Sequence, residues 1–483
     1  MKIFLIVLFS LLGALIAFML IRALLAKPEA GQKKEDYTLR KIDTDRVAAN
    51  LAGAVRIPTV TMKSNDMDGS VFYEYQSYIE KTYPLVFSRA RKTLINKYAA
   101  VYFIEGTDPS LLPAGILAHQ DVVPADEDGW EVPAFSGEIK DGYVYGRGSQ
   151  DMKSQMIVAL EALETLLSEG HSPKRSIYFC FGHDEELRGT EGAARIAAYL
   201  KEKGVRFEYV LDEGGAVLDG KILGINNKIA LIGTCEKGYA DIKLEAEKLG
   251  GHASTPTRRT SVGILSEAIY RIENAPRKTI WTLPVKQMIK TLAPHMSFAY
   301  KFLFVNMDIL SPFLKWVLGI ASPFTNGIVR TTMAATQAKG AHTPNTLPTK
   351  AYANINCRLN TGETAEEIRD YIQRIVGKRV KATLEPGYHD PTPVSDIDND
   401  AYRALSRSIS EVFGGYIVAP YPFIAASDAK YYYDLTNRVY RFTPFEKTEE
   451  DANRIHAANE RQSIASLGQG VQFFIRLYEN TCL

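Results

Sequence analysis

The sequence predicts an α/β protein in two parts: a sheet flanked by helices, and a smaller α+β unit inserted into it, both behind a membrane-spanning helix. Three observations carry that expectation. Strand and helix patterns alternate from residue 99 to 211; the pattern changes after Thr234 and changes back near residue 389; and the run Ile3 to Ile21 contains no charge. A chain of 483 residues is too long for one ordinary core, so two domains are expected. With 57 basic and 56 acidic side chains, and no basic block interleaved with aromatics, nucleic acid is not an expected partner. Cys180, Cys235, Cys357 and Cys482 lie far apart without a C-x-x-C, which favours buried thiols over a zinc ribbon, redox motif or disulfide framework.

The elements follow in order. Residues 1–27 can span a bilayer and read as an uncleaved signal anchor, because Leu24 is a poor partner for a cut after Ala26. Lys2 flanks the apolar run on one side. Arg22, Lys27, Lys33 and Lys34 flank it on the other, partly offset by Glu29, Glu35 and Asp36. The Lys/Arg count favours a cytoplasmic globular part; the very short N-terminal flank favours an extracytoplasmic or lumenal one, which is the expectation adopted. Residues 28–43 read as a polar linker. Helices are expected over 44–56, ended by Pro58, and over 70–82, and strands over 99–104 and 114–119, then a hairpin around Asp141-Gly142. Helix 152–169 carries Met156, Ile157, Leu160, Leu163 and Leu167 on one face and stops at Gly170. Strand 176–181, helix 190–203 and strand 207–211 complete this half.

Beyond Thr234 come a strand and turn, helix 261–273, strands near 330–338 and 350–358, helix 364–376 and strand 379–384. The segment GYHDPTPVSD marks the return to the first part, with helix 398–413, strand 438–442 and helix 460–479. The first part is thus 44–234 with 389–483, and the insertion is 235–388. Within the insertion, residues 281–323 are rich in apolar side chains, including Met288, Phe298, Phe302, Phe313 and Trp316, but Lys, Asp and Asn interrupt them too often for a span. One reading is a helical hairpin broken at Pro312 and packed on the insertion or at a dimer interface. The other is an apolar surface for membrane lipid or a long acyl chain.

Three polar clusters punctuate residues 117–189: LAHQDVVP, GRGSQDMKS and GHDEELRG. They bring His119, Asp121, Asp151, Glu185 and Glu186 to the ends of the predicted elements, and Asp212 ends strand 207–211 in the same way. Open α/β sheets place their sites at the carboxyl ends of strands. In an extended chain His119 and Asp121 share a face, so one can bind a metal while the other fixes its tautomer. Carboxylates gathered this closely repel unless a cation joins them. Taken singly, an H-x-D, a Glu pair and a helix-initial Asp are ordinary surface chemistry; their convergence is what argues for a metal site.

The motifs AHQDVVP, WEVPAF before GRGSQDMKS, HDEELRG, LDEGG, GGHASTP and IHAANER occur in family order, and the chain resembles the co-catalytic di-zinc exopeptidase and aminoacylase family from about residue 44 onward. The stretch VRTTMAATQAKGAHTPNTLPTKAYANINCRLNTGET, and the N-terminal apolar segment, resemble the carboxypeptidase S and N-fatty-acyl amino acid branch. The resemblance implies a zinc-exopeptidase-like domain with a ferredoxin-like lid that forms dimers. It implies two Zn2+ ions, with Co2+ or Mn2+ as substitutes, bridged by Asp151. His119 and Asp212 would complete one site, and Glu186 and His456 the other; Glu213 is the alternative to Asp212, which is preferred because it directly ends the strand. Glu185 would be the general base and Asp121 the orienter of His119. His252 would stabilise an oxyanion, often across the dimer, and Asn345, Arg358 and Ser427 would meet substrate. The function expected is hydrolysis, chemically reversible, of an amide beside a carboxylate: N-acyl amino acids, or short peptides cut as a carboxypeptidase or dipeptidase would. A membrane-anchored binding protein on a decayed hydrolase scaffold is the alternative of another class, and the complete ligand set with Glu185 argues against it.

Overall fold

The computed structural model describes every residue except 29–36, 63–68 and 127, and only the backbone of residues 216, 222 and 223. Half of the expected linker, residues 29–36, therefore lies outside the described residues. The main sheet runs in the order Ala90–Ile95, Ala99–Ile104, Ile177–Gly182, Ala114–His119, Tyr209–Asp212, Val439–Arg441, Lys228–Glu236, Ile417–Phe423. Its four middle strands are mutually parallel, whereas antiparallel pairs close both sides. Ala114–His119 is buried along its whole length, as a central parallel strand must be. Helices Thr44–Val55, Lys153–Ser168, Asp400–Val412 and Ile464–Thr481 cover one face, and helix Ala193–Glu202 with the turn Asp428–Tyr432 covers the other.

The packing explains the helix patterns. Lys153–Ser168 is buried almost all round because it lies between the sheet and its neighbouring helices. Lys153 is itself fully buried. Its ammonium donates to the carbonyls of Ala54 (3.0 Å) and Ile57 (2.7 Å), placing a cation at the carboxyl end of Thr44–Val55 and fixing that helix beside the site.

A second, antiparallel sheet has the order Thr332–Lys339, Lys350–Leu359, Gly238–Glu247, Val380–Leu384. Its two central strands, Lys350–Leu359 and Gly238–Glu247, alternate between a buried and a more open face. Ala240, Ile242, Leu244 and their neighbours Ala351 to Leu359 face helices Ser261–Glu273 and Ala365–Val376, and the opposite face carries Tyr239, Asp241, Asn354, Asn356 and Arg358. The second helix opens on a capping box between Thr364 and Glu367.

Two results differ from the sequence expectation. The strands Ala90–Ile95, Lys228–Glu236 and Ile417–Phe423 were not anticipated. The last contains Pro420 and Pro422, which argue against a strand except at a sheet edge, and an edge is where it lies. Second, the apolar segment 281–323 packs neither on the small sheet nor as a simple hairpin. Its helices Leu283–Leu292, Phe298–Val305 and Ser311–Ala321 continue into Pro323–Val329. Val285, Ile289, Leu292, Ile328 and Val329 pack on Ile229, Leu231, Ile417 and Tyr421 of the main sheet. Pro312 stands in the first turn of Ser311–Ala321, where proline starts a helix rather than breaks one. The helix Lys2–Leu25 is long and apolar enough to cross a membrane.

Candidate metal centre

The strand Ala114–His119 delivers His119 to the carboxyl edge of the main sheet, between strands ending at Gly182 and Asp212. The ring Nδ1 lies 2.9 Å from the carbonyl oxygen of Asp121. A carbonyl only accepts, so Nδ1 carries the proton and Nε2 is left to bind a cation. The Asp121 carboxylate does different work from that expected. Its nearer oxygen stands 3.5 Å from Nδ1, and its two oxygens accept from the backbone N–H groups of Glu185 and Glu186, each at 3.1 Å. Asp121 therefore grips the turn that carries both glutamates.

Asp151 occupies the middle. One oxygen is 3.0 Å from His119 Nε2 and the other is 3.0 Å from His456 Nε2, a bridging disposition. His456 Nε2 is also 3.2 Å from a Glu186 oxygen. His119, Glu185 and Glu213 place one donor atom each within 4.8 Å of one another, and so do His119, Asp151 and Glu186.

The expectation for Asp212 is corrected here. Its carboxylate is spent on the backbone, accepting from Ala429 N–H and Glu213 N–H at 2.8 Å each. Side chains alternate across a strand, so the residue that ends the strand points to the Asp428–Tyr432 side and the next one points to the centre. Glu213 reaches to 3.3 Å from His119 Nε2.

The charges show what this arrangement requires. Burial alone would raise the Asp151 carboxyl, but its contacts with His119 and His456 outweigh burial and hold it well below the usual range. The contact with Asp151 lifts His456 to about 10. Burial, then repulsion from Asp151, pushes Glu213 up to about 8. Burial also drives Glu185 well above the ordinary carboxyl value. His119 and Lys430 pull it back, and Asp428 and Glu213 push it further up. Two imidazoles and four carboxylates converging in this way fit divalent cations, and a nitrogen and oxygen donor set with no thiolate suits zinc.

Two supporting pairs were not identified from sequence. Glu460, fully buried, accepts from the N–H groups of Gln150 (2.8 Å) and Asp151 (3.2 Å) and from Arg147 (2.7 Å), while Arg147 also donates to the His456 carbonyl at 3.2 Å. This pair fastens the Asp151 turn to the His456 loop. The signal lay in GRGSQD and HAANER, each holding one charge of the pair. The second pair is Arg441 with Glu236 at 2.6 Å, both wholly buried.

Ser427 donates to that same Glu236 at 2.6 Å, so the structure sets its hydroxyl in the buried network rather than facing a substrate. Arg358 lies on the polar face of the small sheet with its guanidinium 4.9 Å from the Tyr239 ring centre, and Arg188, three residues past Glu185, lies 5.1 Å from the same ring. His252 and Asn345 are neighbours: Ala253 N–H donates to the Asn345 carbonyl at 2.9 Å, and His252 Nδ1 is 2.7 Å from Ser254 Oγ. Among the described residues their polar contacts stay within these loops and do not include the centre.

The model of peptidase family M20/M25/M40 matches residues 115–480. The chain is 41% identical over 436 residues to N-fatty-acyl-amino acid synthase/hydrolase PM20D1 of Xenopus tropicalis, covering 89% of this chain and 85% of that protein. It is 35% identical over 447 residues to probable carboxypeptidase S-like 2 of Dictyostelium discoideum, covering 90% and 85%. Its fold is similar to that of the M20 family metallo-carboxypeptidase Sso-CP2 of Sulfolobus solfataricus, with a TM-score of 0.66 over 89% of this chain and 99% of that one, at 18% identity.

Proposed function

The chain belongs to peptidase family M20/M25/M40, and from that membership we propose a di-zinc amidohydrolase of N-acyl amino acids with apolar acyl chains, anchored in a membrane by Lys2–Leu25 with its globular part on the extracytoplasmic or lumenal side. The observation that carries the reading is Asp151 set between His119 and His456 with Glu185 alongside. The relatives named above support the substrate class.

His119, Asp151 and Glu213 would hold one ion, and His456, Asp151 and Glu186 the other, with cobalt or manganese as substitutes. When bound, the ions supply Lewis acidity and make water acidic enough to attack near neutral pH. Glu185 takes the water proton and returns it to the leaving amide nitrogen. Its place on the turn held by Asp121 keeps that carboxylate beside the reacting atoms. Arg358 pairs with the free carboxylate of the amino acid, which its planar fork suits. His252 donates to the developing oxyanion from a second copy of the chain, with Asn345 beside it, consistent with the local contacts both make here. The same catalyst runs amide formation when concentrations favour it.

One experiment tests the reading: metal-dependent turnover of N-acyl amino acids of graded chain length, beside dipeptides. Turnover rising with chain length is expected. Preference for dipeptides would move the chain to the carboxypeptidase reading that the Dictyostelium relative's name supports. Glu185→Gln should keep metal and lose turnover, and a fully active variant would overturn the mechanism.

A further inference from the structure

The helices between residues 283 and 329 bury one side on the main sheet and leave the other open. Trp316 is 62% exposed, Ile320 64%, Phe298 52% and Phe313 50%, and Tyr300 and Phe324 join them. Phe298 and Tyr300 lie on Phe298–Val305, whereas Phe313, Trp316 and Ile320 lie on Ser311–Ala321, where the rings of Phe313 and Trp316 are 6.4 Å apart. Soluble surfaces rarely leave so many large apolar side chains together.

The N-terminal helix fixes the level at which this face stands. Met19 and Ala23 are its buried residues. The fully buried Asn306 donates its side-chain amide to the Met19 carbonyl at 3.1 Å, and Arg22 meets both oxygens of Asp308 at 3.0 Å. The exposed ion pair contributes little energy, about 0–1 kcal/mol; Asn306 is the stronger constraint, because a buried amide tolerates few positions. The uncharged run ends at Ile21. A helix rises about 1.5 Å per residue, so Met19 lies only about 3 Å inside the end of that run. Phe298–Val305 is thereby held where hydrocarbon gives way to headgroups.

We propose that this face is seated in the bilayer interface, with Phe298, Tyr300, Phe313, Trp316 and Ile320 in the headgroup and acyl boundary of the membrane that Lys2–Leu25 crosses. The inference rests on the anchor reading above. Aromatic side chains flanked by lysines such as Lys301 and Lys315 match the composition of interfacial segments. Continuity with the spanning helix selects lipid over a second copy of the chain as the occupant.

The test uses the full chain in phosphatidylcholine vesicles. Flotation with the vesicles reads the anchor. Trp316 fluorescence, taken as the difference between wild type and Trp316→Phe, reads the seat, with bromines placed near the headgroup end or the tail end of the acyl chains. Because Trp316 is exposed, its replacement leaves the core intact. Flotation with Trp316 quenched most by the headgroup-end bromines is expected. Flotation with Trp316 unquenched, as when a second copy covers it, overturns the seat and leaves the anchor standing. Stronger quenching from the tail end also overturns the interfacial seat, and a chain that does not float overturns both readings.

Discussion

Replacing Glu213 by Gln should cost metal, whereas replacing Asp212 by Asn should cost stability. Asp212 is 1% exposed and accepts two backbone N–H bonds of 2.8 Å. An Asn there keeps one acceptor and turns an N–H2 group toward a backbone donor, losing one buried bond, at about 1–3 kcal/mol. Its carboxylate does not face the centre, so metal affinity should move little. Glu213 is the reverse case. Its side chain makes its closest contact with His119 at 3.3 Å, and burial and Asp151 both disfavour its charge in the metal-free protein. Gln therefore leaves the stripped protein as stable as before or more so. Removing even an outer partner of a metal site costs about 10–100-fold in affinity, so losing an anionic ligand should cost at least about 100-fold, or about 2.8 kcal/mol. Calorimetric zinc titration of chelator-stripped protein gives the affinities, and denaturant unfolding of the same samples gives the stabilities. If Asp212→Asn lost zinc while Glu213→Gln bound it like wild type, the assignment of Glu213 would be wrong.

Two further outcomes follow from the same geometry. Glu213 is raised from 4.5 to about 8 in the fold, so the unfolded chain holds fewer protons than the folded one across that window. Stripped wild type should therefore lose stability relative to stripped Glu213→Gln as pH rises from 4.5 to about 8, a difference in which buried groups remote from Glu213, such as Lys153, cancel; unfolding curves that stay parallel across this range would exclude it. Glu460→Ala should cost about 3–5 kcal/mol, because it strands the buried Arg147 charge and two backbone donors, and a thermal melt within about 1 kcal/mol of wild type would show that the pair does not tie the loops together.

What the sequence made legible follows from how its signals are carried. His119, Asp121, Asp151, Glu185 and Glu186 stand out because each ends a strand or starts a helix within a short stretch, and element ends are readable from periodicity. His456 has no such context. It lies in a loop with φ 62°, and only the family resemblance singled it out. Asp212 was preferred over Glu213 by a rule about strand ends that ignored which face the last residue takes. The strand Ile417–Phe423 was hidden by its prolines, because edge position is a property of the sheet and not of the segment. The Arg147–Glu460 pair spans 313 residues, and no local pattern pairs two such charges. The expectation left the helices after residue 283 on the insertion, at a dimer interface or against lipid, and their packing on the main sheet was not among these, because apolar periodicity tells which side is buried, not against what.

The bond between Asp151 and His456 has a consequence for synthesis. The two residues are 305 positions apart, so at roughly 5–20 residues per second a ribosome makes the bridging carboxylate about 15–60 s before its second imidazole. Throughout that interval the growing chain carries an acidic half-site that lacks the histidine and the Glu460 clasp of its other half. On the proposed ligand set, catalysis would wait until His456 and Glu460 have folded back onto Asp151. On the same set, a truncation before His456 would yield a silent protein even with residues 115–450 intact.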